Sequence, residues 1–194
     1  MATALIALGA LHNWRRQDKA KREAEFLDHL IEAMHSYIVE MHSPIELLRM
    51  ARIGMASHVA TWEEGDSAEK VARGAIAYIS KHGAEHGKRL AASLKIVEPS
   101  VVRLRSLASK GQVFKFRNYA HCQNAVSLLT WHVDRLWSFV TIIDTPTWNW
   151  ENPEVRSLLD KVMKIEADDI RESIGQNDVA AIEWARLTYE RIYG

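Results

Sequence analysis

The chain has 194 residues, 47% of them hydrophobic and 26% charged, which is the composition of one folding domain, with or without an appendage, and not of a disordered chain. Lys plus Arg and Asp plus Glu each number 25, so the formal net charge is zero and a whole-molecule electrostatic attraction to nucleic acid is not indicated. The single cysteine, Cys122, excludes an internal disulfide and fits a reducing compartment.

In chain order, Ala2 to Leu11 is uncharged and largely apolar. His12, Asn13 and Trp14 follow, then a basic cluster of Arg15, Arg16, Lys19, Lys21 and Arg22. Apolar run, Trp, then Lys and Arg is the order found where a helix leaves a bilayer on the cytoplasmic side. The run falls short of the ~20 apolar residues a spanning helix needs. It reads as an interfacial anchor, the end of a longer membrane helix, or plain core. A secretory signal is not indicated, because its basic residues would precede the apolar run, and a Met-Gly start for myristoylation is absent.

The apolar period is helical throughout, and the predicted fold is an all-α bundle with a long N-terminal helix. The first helix is predicted over about residues 2–42, with Phe26, Leu30, Met34, Tyr37, Ile38 and Met41 on one face. Ser43-Pro44-Ile45-Glu46 predicts a capped restart and a second helix to about Trp62. Glu64-Gly65 reads as a break, and Asp66 with Glu69 as the cap of a third helix over residues 67–96, with Val71, Ala75, Tyr78, Ile79, Leu90 and Leu94 inward. Glu98-Pro99 predicts a short fourth helix closed by Lys110-Gly111, then an extended piece over residues 112–116.

The segment 117–143 is the most apolar. Val126, Leu129, Val133, Leu136 and Val140 form one stripe, with Trp131, Trp137 and Phe139 on other sides, so it is predicted as the central helix, with Trp131 and Trp137 in the core. Asn152-Pro153 caps a sixth helix carrying Val155, Leu158, Leu159 and Val162, and two short helices are expected near 167–174 and 179–193. Trp148 and Trp150, in the turn before the sixth helix, read as core filling, with a partner-binding patch as the alternative. The domain reading is an N-terminal apolar and basic segment over 1–22 and one helical domain over 23–194.

Three short strings have residue types and spacings that suit chemistry. His82-Gly-Ala-Glu85-His86 has the spacing of a metalloprotease helix, but no third ligand is marked and Gly83 and Gly87 weaken the helix, so a solvated face is the reading adopted. Glu32-x-x-His35 has a di-iron spacing without a second copy. His121 and Cys122 are neighbours about 100 degrees apart on a helix, a poor aim for a base and its nucleophile. No metal and no cofactor is therefore assigned.

Arg117-Asn118-Tyr119-Ala120-His121 resembles the Arg-Asn…His signature of HEPN ribonucleases, helical proteins of toxin and antiphage systems. The resemblance implies an arginine and a histidine facing a composite site, usually across a dimer interface, where Arg117 stabilises phosphate charge and His121 transfers a proton. The opening, from Ala4 through Phe26 and on to Tyr37, resembles a bacterial and prophage type with an N-terminal membrane helix and a helical cytoplasmic domain. That resemblance implies a tether and no reaction.

The leading expectation is thus a non-enzymatic interaction module at the cytoplasmic face of the inner membrane. Leu5, Ile6, Leu8, Leu11, Trp14, Arg15, Arg16 and Lys19 are its membrane contacts, and its protein partner is unidentified. The alternatives are a cytoplasmic chain with no membrane role, and a HEPN-like ribonuclease acting on RNA through Arg117 and His121. A homodimer is compatible with each.

Overall fold

In a computed structural model the chain is helical. The structure describes residues 2–60 and 66–194, with side chains from Leu11 onward. Among the described residues there are six α-helices, one π-helical turn and no strand. Helix α1 runs Ala2–Ser57, α2 Ser67–Tyr78, the π turn Ile79–Gly83, α3 Ala84–Phe114, α4 Tyr119–Ile143, α5 Pro153–Val162 and α6 Ala167–Tyr193.

Four long helices close into a ring, each touching two others: α1 on α3, α3 on α4, α4 on α6, and α6 back on α1. The core between them is apolar, with Leu27, Leu30, Met34, Met41 and Leu48 from α1 meeting Leu90, Leu94 and Leu104 from α3 and Leu129, Leu136 and Phe139 from α4. Tyr37 crosses this core to donate its hydroxyl to the Leu129 carbonyl, and burial pushes its pKa up, so it stays a neutral donor. The predicted stripe of α4 is the buried one, and Val126, Leu129, Val133, Leu136 and Val140 are all at most 5% exposed.

Local caps set two helix starts as expected. Asp66 accepts from the Glu69 amide at 3.3 Å, and Asn152 accepts from the Glu154 amide at 2.8 Å with Pro153 at the first helical position. Elsewhere the boundaries differ from expectation. Pro44 lies inside α1 and Pro99 inside α3, and neither starts a helix. A proline inside a helix costs about 3 kcal/mol. Around Pro44, however, Met41, Ile45 and Leu48 are fully or nearly buried, each burial stabilising by ~1.5–3 kcal/mol, and Ser43 does not cap but accepts from the Ser93 hydroxyl of α3 at 2.9 Å. Packing against α3 outweighs the proline.

Residues 112–114 are helical, not extended, and α4 begins two residues later than expected. The two short C-terminal helices are one, α6, and the second helix ends at Ser57 within α1. The expected end at Trp62 and the break at Glu64-Gly65 lie outside the described residues. Two apolar positions expected inward are exposed, Val71 and Trp131. Trp150 and Trp148 do pack on the core, as does Trp137.

The α2–α3 junction stays helical through the π turn because it must pass close to the end of α4. A Cβ at Gly83 would stand 2.2 Å from the Ile143 carbonyl oxygen. At the other end of α3, a Cβ at Gly111 would meet the Tyr119 hydroxyl at 2.1 Å. That hydroxyl donates to the Ala108 carbonyl at 2.7 Å and ties the start of α4 to the end of α3.

Candidate functional site

The antiparallel order of the helices gathers the start of α1, the end of α3, the start of α4 and the end of α6 at one end of the bundle. No residue from Leu11 to Glu23 is buried, and the first buried side chain of α1 is Ala24. The end of α6, Ile192 and Tyr193, lies alongside Asn13, Arg16, Gln17, Ala20 and Lys21. Residues 2–12 continue the helix beyond that level for about 16 Å at 1.5 Å per residue. Leu11 is 44% and Trp14 62% exposed. Of the expected membrane contacts, the side chains of Leu5, Ile6 and Leu8 lie outside the described residues. Leu11, Trp14, Arg15, Arg16 and Lys19 are exposed.

Along this stretch Lys19 pairs with Glu23 at 3.6 Å, Lys21 with Glu25 at 3.8 Å and Arg22 with Asp18 at 2.6 Å, all one helical turn apart. Arg15 and Arg16 have no ion-pair partner among the described residues. α1 runs on through residue 22, and burial begins just beyond it, at Ala24.

Beside the base of this segment the short loop 115–118 joins α3 to α4. Lys115 and Asn118 both adopt left-handed backbone, with φ of 53° and 56°. Non-glycine residues hold that conformation at a cost that neighbours must offset, and here an aromatic floor does so. Phe116 stacks on Phe26 at 5.4 Å, Phe114 is tilted against Phe26 at 5.2 Å, and Phe116 meets Trp184 edge-on at 5.5 Å. The Trp184 indole N–H donates to the Arg117 carbonyl at 3.2 Å. A pocket of about 330 Å³ opens above this floor, lined among others by Lys19, Glu23, Lys115, Arg117 and Arg191. His121 is exposed on the first turn of α4 and is not among the residues lining that pocket.

Ion pairs sort the cations Arg103, Arg105, Lys115 and Arg117 into two kinds. Arg103 pairs with Glu32 of α1 at 3.2 Å and Arg105 with Asp134 of α4 at 2.9 Å. Lys115 and Arg117 have no acidic partner among the described residues. Two acidic residues at the start of α6 are used in the same way, Asp168 with Arg49 and Glu166 with Arg52, and Arg171 of α6 reaches Glu46 of α1. Glu32 of the Glu-x-x-His string is thereby engaged with an arginine.

The other strings have structural roles. His58, His82 and His86 pack around the Tyr78 ring at 5.5–5.6 Å, and among the described residues no three His, Cys, Asp or Glu side chains gather as a metal site. Burial and the nearby Arg89 lower the pKa of His86. Cys122 is fully buried, and burial pushes its thiol up to about 12, so it is an inert core residue.

The alternative patch at Trp148 extends onto α4 at Trp131 and Arg135, which the sequence reading did not foresee. A groove of about 570 Å³ runs between α4 and α5, lined by Trp131, Arg135, Trp148, Leu158, Lys161 and Ile165 among others. The Arg135 guanidinium lies 4.7 Å above the Trp131 ring. The Trp148 indole N–H is buried with no acceptor among the described residues. The available signal was Trp131 and Arg135 one helical turn apart, off the apolar stripe of α4.

Among the described residues no helix is long and apolar enough to cross a membrane. No family model, no curated protein and no solved structure matches the chain.

Proposed function

We propose that the protein is a membrane-tethered helical interaction module that acts without catalysing a reaction. Its N-terminal helix lies in or enters the cytoplasmic face of the inner membrane. The observation that carries this reading is the start of α1, where thirteen successive residues, Leu11 to Glu23, include no buried side chain although they belong to a helix that is core further on. Leu11 and Trp14 stand in solvent directly ahead of the unpaired Arg15 and Arg16. Exposed apolar and aromatic groups followed by cations suit the boundary between lipid tails and anionic headgroups. The groove at Trp131 and Trp148 supplies a surface for a protein partner, since an aromatic, arginine-bearing groove is the usual composition of an interface core.

The test is vesicle sedimentation of the full chain on neutral and on anionic phospholipid. Binding to anionic vesicles at low salt is expected, with loss on raising the salt. Replacing Trp14→Ser, Arg15→Glu and Arg16→Glu together is expected to abolish binding and leave the thermal midpoint unchanged, since all three side chains are exposed. Equal binding by native and triple variant would sink the tether. Cleavage of RNA by the native chain, lost in both Arg117→Ala and His121→Ala, would instead establish the ribonuclease alternative.

A further inference from the structure

We propose that Lys19, Lys115, Arg117 and Arg191 form a seat for the phosphate of an anionic lipid headgroup, a second membrane contact that fixes how the bundle stands on the bilayer. The inference rests on the tether reading and adds a specific site to it. Four cations and one carboxylate, Glu23, line the pocket, and Glu23 is already shared with Lys19. Lys115, Arg117 and Arg191 have no ion-pair partner among the described residues. Three cations held together without counter-ions repel one another, and an anion seated between them relieves that repulsion.

Helix ends account for part of this pattern. Lys115 closes α3 and Arg191 lies in the last turn of α6, where cations are favoured by the helix dipole. Lys19 and Arg117 are at neither position. Arg117 instead stands just before Asn118, the N-cap of α4, whose N-terminus has no side-chain cap and adds its own positive end to the loop. The loop is held by the aromatic floor and by the Trp184 bond to the Arg117 carbonyl, so the guanidinium comes from a fixed backbone, and a guanidinium suits bidentate contact with phosphate.

Position along α1 selects a lipid as the source of that phosphate. Lys19 is five residues beyond Trp14, a rise of about 7.5 Å. The headgroup layer is roughly 5–7 Å thick on each side of the hydrocarbon. With Trp14 at the hydrocarbon boundary, Lys19 reaches the headgroup phosphates, and tilting of α1 brings the loop and Arg191 to the same level.

The experiment measures partition of the full chain onto phosphatidylcholine vesicles with and without phosphatidylglycerol, for the native protein, for Lys115→Gln with Arg117→Gln, and for Lys88→Gln with Arg89→Gln. Lys88 and Arg89 are exposed at the opposite end of α3. At ~1 kcal/mol for each cation near an anionic surface, the loop pair is expected to weaken binding about 30-fold. The Lys88/Arg89 pair is expected to bind like native, and all three proteins to melt together. Native-like binding by the loop pair overturns the seat, and so does an equal loss in both pairs, which would mean unspecific charge; the tether survives either result. Binding of inorganic phosphate at the loop, read from Trp184 fluorescence, with vesicle binding unchanged in the loop pair, would make the seat one for a soluble anion and overturn the lipid assignment. Failure of the native chain to bind any anionic vesicle removes the tether reading, and the seat with it.

Discussion

His132 shows how one buried side chain makes the bundle sensitive to acid. It is 2% exposed, its Nε2 meets the Ser173 hydroxyl at 2.9 Å, and its Nδ1 has no partner among the described residues. Burial, with the nearby Arg135 second, lowers its pKa from 6.5 to about 4. The unfolded chain therefore binds a proton in the window from pH 6.5 down to 4 that the folded chain does not, and stability falls as pH falls through that window. Between pH 7 and pH 5 the loss is about 2 kcal/mol. His132→Asn keeps a polar donor without the titration, and its urea midpoint should change less between pH 7 and pH 5 than that of the native chain. Equal changes would show that other groups carry the acid response. Gly83 makes the complementary point about space. Gly83→Ala sets a Cβ against the Ile143 carbonyl and should destabilise by about 1–3 kcal/mol, read as a lower thermal midpoint.

At the scale of elements, the two internal prolines separate local preference from packing. Asp66 and Asn152 were readable as caps because a cap is made by a side chain and an amide two or three residues away. Ser43-Pro44 carries the same local signal and does something else, since Met41, Ile45 and Leu48 keep one buried face across it. Pro99 is the cleaner case, because it is exposed and its flanks Val97, Ser100 and Val101 are buried. Pro99→Ala restores an amide to the helix and removes the ring's clash with the carbonyl of Lys95. It should stabilise by about 1 kcal/mol after the entropy returned to the unfolded chain, a rise of ~2–4 °C in thermal midpoint. A lower midpoint would mean that the packing of α3 depends on the proline ring.

For the whole molecule, the tether and the soluble-core alternative differ in what an apolar change near the N-terminus does to stability. Leu5→Asp with Leu8→Asp places two charges on the apolar run. Under the tether reading the thermal midpoint stays within about 1 °C of native while vesicle binding is lost, since surface changes usually stay within ±0.5 kcal/mol. If the run were core, burying two carboxylates would lower the midpoint by many degrees. The cross-helix ion pairs of α1 with α6 belong to this scale as well. Being largely exposed, each contributes at most about 1 kcal/mol, and their role is to set which faces of the two helices meet.

The helical class, the buried stripes of the first helix and of α4, and the apolar-then-basic opening were all legible from residue order, because a 3.6-residue period and a local cap are written along the chain. The division of the charges was not. Arg105 and Arg117 look alike in sequence, yet one meets Asp134 and the other lines a pocket without an acidic partner of its own among the described residues. Trp131 was read as core for the same reason: its residue type says buried, while its place on the solvent side of α4 leaves it half exposed above the α5 groove. Continuity through Pro44 and Pro99, the gathering of Lys19, Lys115, Arg117 and Arg191, and the groove at Trp148 all depend on contacts between residues far apart in the chain. Residue order carries the period and the local capping; which helix faces meet, and so which charges are cancelled and which stay free, is decided only when the four long helices close around one core.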